Sequence, residues 1–244
     1  MVEVAWYDRR RKGWLRDFIV LLHPPYTLWH LSYIPIGAAL APVMNWATLG
    51  WTLLAFFLGM GISAHCADEL KGRPLRTIIP GWILALLGVL SLGGAAVIGL
   101  TVGLEETLWI FPCVIFGVFI VFAYNLELFG GFFHTNFWFG FAWGAFPVLT
   151  AYGVQTHTVS PAMILVAAAC LLYSMTQRVL SLHCRFFRRK VEGLEGRYYL
   201  EGKTTRWEYG KLTKQMIIEP AEVALKLMMW TVVAAAAGLL LLRL

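Results

Sequence analysis

Charge is what this chain has least of: 14% of its 244 residues are Asp, Glu, Lys or Arg, against 59% hydrophobic. A soluble domain carries about 25% charged residues. The shortage excludes an ordinary soluble protein and, with a mean hydropathy of +0.68, predicts a polytopic membrane protein. Aspartate is scarcer still, with Asp8, Asp17 and Asp68 as the only three. Cys66, Cys113, Cys170 and Cys184 lie in or beside apolar runs without metal-type spacing. They exclude a disulfide framework and read as small buried hydrophobes. No cleavable leader is expected, because Arg9, Arg10, Arg11, Lys12 and Arg16 precede no short apolar run ending in small residues.

What is abundant is long apolar sequence. Crossing a bilayer takes about 20 apolar residues, and seven runs qualify, near 26–44, 46–65, 78–100, 107–126, 136–154, 160–182 and 221–243. The expected fold is therefore an all-α bundle of about seven transmembrane helices. It divides into a tail with an interfacial helix (1–25), a six-helix core (26–182), a basic loop (183–220) and a last helix (221–244). In the interfacial helix, Trp14, Leu15, Phe18, Ile19, Leu21 and Leu22 form an apolar face, with Arg16 and Asp17 on the other side. With a cytoplasmic N-terminus, Lys71, Arg73 and Arg76 and the nine cations of 183–220 all fall inside, while the three outer loops carry only Glu105 and Glu106. This charge asymmetry predicts a multi-pass protein of the cell (inner) membrane. The basic loop reads as a solvated connector attracted to anionic lipid, or as a lid over a site, and nothing in it calls for nucleic acid.

The break after the second run, His65 to Thr77, concentrates the chemistry. If the helix continues, His65, Asp68, Glu69 and Gly72 recur at i, i+3, i+4 and i+7, on one face. A histidine and two carboxylates suit a divalent ion, and hard oxygen ligands suit Mg²⁺ bridged to a substrate phosphate. Lys71, Arg73 and Arg76 beside them can neutralise a diphosphate, Arg through a bidentate fork. The plainer alternative pairs Asp68 and Glu69 with Arg73 and Arg76 at the head-group level. The loop after the fourth run repeats the theme: Tyr124, Asn125 and Glu127 precede a Gly130-Gly131 break and His134. Two acid-plus-histidine turns on one side of the membrane predict a shared pocket. Glu222 and Lys226 are expected to pair at i, i+4. The aromatic fifth run, with Phe137, Trp138, Phe139, Phe141, Trp143 and Phe146, reads as lipid contact, core, or the wall of an apolar groove.

These residues resemble the UbiA superfamily of intramembrane prenyltransferases over roughly residues 20–185. The stretch 25–41 with Gly37 is similar to the family's opening helix, and Arg76-Thr77 with Pro80 to the tail of its first Asp-rich motif. The stretch 124–153, with Gly140, Gly144, Pro147 and Gly153, is similar to its fourth-to-fifth helix connection. The resemblance implies an all-helical fold, a polyprenyl diphosphate substrate and Mg²⁺. It casts His65, Asp68 and Glu69 as metal ligands and Lys71, Arg73, Arg76, Thr77, Tyr124 and Asn125 as substrate-binding. Asp68, Glu69, Glu127 and His134 then carry the catalysis. The chain departs from the family in its first motif, in Glu127 where Lys-Arg is usual, and in having no acid between Gln177 and Lys190. The family usually has nine spans.

Three functions follow as expectations. The first is transfer of an isoprenoid from its diphosphate with a divalent metal. The second is a different metal chemistry, since His65, Asp68, Glu69, Glu127 and His134 form a mixed N/O set suited to iron or manganese. The third is a non-catalytic protein that binds or moves a lipid, or scaffolds other membrane proteins.

Overall fold

The computed structural model describes residues 13–200 and 208–244. Two short helices, α1 (Trp14–Leu21) and α2 (Pro24–Leu31), lead to α3 (Tyr33–Ala39). The long helix α4 (Trp46–Gly72), α5 (Gly81–Glu105), the shorter apolar α6 (Ile110–Asn125) and α7 (Asn136–Thr156) follow. After α8 (Pro161–Arg189), the antiparallel strands β1 (Arg197–Leu200) and β2 (Glu208–Lys211) precede α9 (Lys214–Leu241). The protein is an all-α bundle in which α4, α5, α7, α8 and α9 are long and apolar enough to cross a membrane.

Local chemistry explains the boundaries. Asn45, Thr135, Ser160 and Thr213 cap α4, α7, α8 and α9, each side chain accepting from a backbone N–H of the first turn. α4 and α7 end on residues in the left-handed region, Arg73 at φ 50° and His157 at φ 57°. The first expected span is divided at Ser32 into α2 and α3. α8 continues past 182 to Arg189 and α9 begins at Lys214, so much of the expected basic loop is helix, and a strand pair lies within the rest. α1 forms where expected, but Asp17 lies on its inward face at 1% exposure, while Leu15 is 74% exposed.

α7 is the central helix: 67% of its apolar window is buried, against 22% for α5 and α9. Apolar side chains such as Trp82, Leu165 and Leu227 face outward instead, as a lipid-facing surface requires. Gly140 and Gly144 let α7 press against α8. A Cβ at Gly144 would sit 2.5 Å from the Cys170 carbonyl oxygen, and one at Gly140 2.7 Å from that of Leu171. Such small residues four apart are a membrane substitute for hydrophobic association. α4 and α7 each contain a π-helical stretch, Phe57–Ser63 and Phe141–Ala145. Widened turns of this kind release carbonyls from the helical ladder; in α7, the Trp143 carbonyl bonds to Nδ1 of buried His30 at 2.8 Å.

The end of the bundle away from His65 is tied by polar bonds. Asn45 and Gln155 exchange two hydrogen bonds, of 2.7 and 3.0 Å, and the Thr48 hydroxyl donates to Glu106 at 2.9 Å. The Arg243 guanidinium donates to the carbonyls of Ala39, Ala41 and Pro42. Between helices, Arg188 pairs with Glu222, a partner that the i, i+4 spacing to Lys226 does not reveal.

Candidate functional site

α4 continues helically through His65, Asp68, Glu69 and Gly72, as the spacing predicts. Neighbouring helical residues diverge by about 100°, and this sends the two carboxylates to different work. Glu69 is completely buried. Its oxygens accept from the Leu75 and Thr77 amides, both at 2.9 Å, and from the Thr77 hydroxyl at 2.8 Å. Asp17 of α1 accepts from the Ile78 amide at 2.6 Å and from Arg16 at 2.7 Å. Arg73 donates to the Ile79 carbonyl at 2.5 Å. Two buried carboxylates and a guanidinium thus hold the 73–79 turn, in which Arg73 and Arg76 have positive φ of 50° and 52°. Arg76 is exposed, and Thr77 is buried against Glu69.

The second turn touches the first at its rim. Lys71 donates to the Leu126 carbonyl at 3.2 Å and lies 3.9 Å from Glu127, both side chains of that pair being half-exposed. His134 Nδ1 is 3.0 Å from the Tyr124 carbonyl oxygen, and its ring packs, tilted by 30°, on the Tyr124 ring at 4.6 Å. Asn125 is absorbed by its own helix, donating to Val121 at 2.8 Å.

Between the two turns lies Asp68, half-buried and without a hydrogen-bond donor among the described residues. Arg185, His134, Glu69 and Arg189 are the charged groups that bear on it. His65 lies 3.2 Å from the Thr27 hydroxyl and 4.7 Å, ring to ring, from His23. Burial, followed by the charges of His65, Arg185 and Arg189, pushes His23 well below its ordinary pKa. The structure therefore brings Asp68 near His134 and Tyr124, while His65 turns to Thr27 and His23. Glu69 and Arg73 are spent on the turn beside Asp68, and Lys71 and Glu127 lie at the rim.

A metal fits this arrangement poorly. Among the described residues no three His, Cys, Asp or Glu side chains converge to hold an ion. The expected His65–Asp68–Glu69 set fails because the Glu69 carboxylate is turned into the 73–79 turn, where all its bonds are made. The wider iron or manganese set fails with it, Glu127 lying outward beside Lys71.

Cations occupy the other wall. Arg178 of α8 is only 7% exposed. Its guanidinium lies 5.4 Å from the Tyr124 ring centre and 5.7 Å from that of Phe139. Its Nη2 is 3.5 Å from the His134 carbonyl oxygen, and its Nη1 has no partner among the described residues. Arg185 and Arg189 follow at i+7 and i+11 on the same helix face. That spacing was present in the sequence, but cutting the helix at 182 hides it.

Beyond the aromatic layer of this polar end, an apolar cavity of about 110 Å³ lies between α4, α5, α6 and α7. No charged side chain lines it; Met60, Leu92, Val121, Phe146 and Trp143 are among its walls. Trp143 is shared, since its ring also packs on Tyr124 at 4.6 Å and stacks on Phe139 at 5.4 Å. One aromatic layer thus has apolar space on one side and Arg178, His134 and Asp68 on the other. Comparison with protein-family models, curated proteins and solved structures finds no match.

Proposed function

We propose that the protein is a multi-pass inner-membrane transferase acting on an isoprenoid diphosphate or a closely related anionic lipid, with its site on the cytoplasmic side. One observation carries this reading: a polar cluster and an apolar cavity share the Tyr124–Trp143 wall, the shape an amphiphile with a charged head and a long tail requires. The resemblance to UbiA prenyltransferases and the cation-rich cytoplasmic loops support it. In the reaction, the bond between the isoprenoid C1 and its bridging oxygen breaks, and diphosphate leaves with the electron pair. A nucleophilic acceptor bonds to C1 and gives its proton to Asp68, whose carboxylate accepts no other hydrogen bond among the described residues. His134 holds the Tyr124 wall beside it.

Purified protein in nanodiscs tests the proposal, with geranylgeranyl diphosphate and a membrane-lipid extract as acceptor. Diphosphate release that falls at least a hundredfold in Asp68→Asn, with lipid binding retained, is the expected result. Unchanged release in that variant removes Asp68 from the chemistry. Binding without release by the wild-type protein favours the alternative, a catalytically silent lipid-binding or transport protein. That alternative draws on the commitment of Glu69 and Arg73 to the turn.

A further inference from the structure

Arg178 has a side chain that ordinary folding does not explain. It is more than nine-tenths buried, and no carboxylate among the described residues lies within ion-pair distance of it. One of its terminal nitrogens has no hydrogen-bond partner among the described residues. A buried ion without a counter-ion costs several kcal/mol, and the Tyr124 and Phe139 faces recover only part of that through cation–π attraction. Arg185, one stripe position further along α8, also lacks an ion-pair partner among the described residues, although it bears on Asp68, His23 and Tyr124. Nearby, Lys71 pairs with Glu127, and Arg188 of α8 pairs with Glu222. The α8 side of the site therefore holds more positive charge than Asp68 can balance.

We propose that Arg178 and Arg185 grip a phosphate or diphosphate group directly, so that head-group binding needs no divalent cation. The inference rests on the reading of this end as a lipid head-group site, and deepens it. Guanidinium forks match phosphate oxygens two at a time. Positions i and i+7 lie about 10 Å apart along the helix, and two long side chains reaching toward each other span a diphosphate. Arg178 adjoins Tyr124, whose ring packs on the cavity-lining Trp143, and so takes the phosphate next to the tail. Arg185 is exposed and takes the outer one, with Arg189 continuing the stripe outward. The arginines thereby do the neutralising that the carboxylates of this chain are not arranged to delegate to a metal.

The test measures equilibrium binding of geranylgeranyl diphosphate and of inorganic pyrophosphate to full-length protein in nanodiscs, in EDTA and in excess Mg²⁺. Binding in EDTA within about threefold of that in Mg²⁺ is expected, with about tenfold weakening in Arg185→Gln and more in Arg178→Met. Tighter binding of the lipid than of pyrophosphate assigns the anion to a lipid head group. Equal binding assigns it to a soluble phosphate and upholds the arginine grip while removing the lipid. Binding seen only with Mg²⁺ overturns this inference and leaves the head-group reading standing. No binding of either probe in either condition overturns both. A second readout separates recognition from architecture: Arg178→Met removes an uncompensated charge, so its melting temperature is expected to hold or rise. A fall in melting temperature, with binding intact in Arg185→Gln, makes the arginines structural and sinks the proposal.

Discussion

Asp68 and Glu69 are adjacent and chemically alike, yet one is half-buried without a hydrogen-bond donor among the described residues and the other is locked into a turn. Glu69→Ala is expected to destabilise the protein by about 1–3 kcal/mol for each amide it strands, seen as a lowered denaturation midpoint. Asp68→Asn is expected to leave that midpoint within about 0.5 kcal/mol. The sequence shows both acids at a helix end but gives no sign of which one faces the turn. Part of what shapes that turn is remote: Asp17, which accepts from the Ile78 amide, lies 61 positions before it along the chain. His23 supplies a pH dependence. Its folded-state pKa is depressed from 6.5, so below that value the unfolded chain binds a proton that the folded chain refuses. Stability is expected to fall as pH drops beneath about 6.5, and His23→Gln is expected to flatten that slope in chemical denaturation.

At the scale of elements, hydropathy alone locates a helix in every expected span, because the bilayer demands the same length of apolar sequence each time. It locates their ends less well. α8 carries Arg178, Arg185 and Arg189 on one face, and a charge-based boundary at 182 cuts that face in two. The π-helical stretches of α4 and α7 leave no sequence mark, since they arise from how a widened turn meets its neighbours. The α7–α8 contact is more legible: Gly140 and Gly144 stand four apart, and the structure supplies the backbone each one meets. Gly144→Leu is expected to cost about 1–3 kcal/mol by overpacking against the Cys170 carbonyl. The same substitution at Gly238 of α9, whose Cβ would meet nothing, is the control for loss of glycine alone.

For the whole molecule, the distribution of Lys and Arg predicts an orientation, from which the side of the proposed site follows. Cysteine-scanning in a background without the four native thiols checks it. An impermeant maleimide applied from outside is expected to label Thr158→Cys and to miss Gly193→Cys until the membrane is opened. The reverse pattern inverts the topology and moves the candidate site to the outer face. A carboxylate pair and basic turns were visible in the sequence as one charged end. That this end adjoins an apolar cavity was not, because the shared wall is built from α6 and α7, whose aromatic residues look alike whether they face lipid, core or ligand.

The Arg243 clasp has a consequence for how such a bundle assembles. The guanidinium reaches back 201 to 204 positions to carbonyls at the end of α3 and in the turn after it. During synthesis those carbonyls must wait for α9 while every intervening helix inserts. A half-built protein therefore displays bare acceptors near a medium that cannot solvate them, a mark by which an unfinished molecule is distinguishable from a finished one.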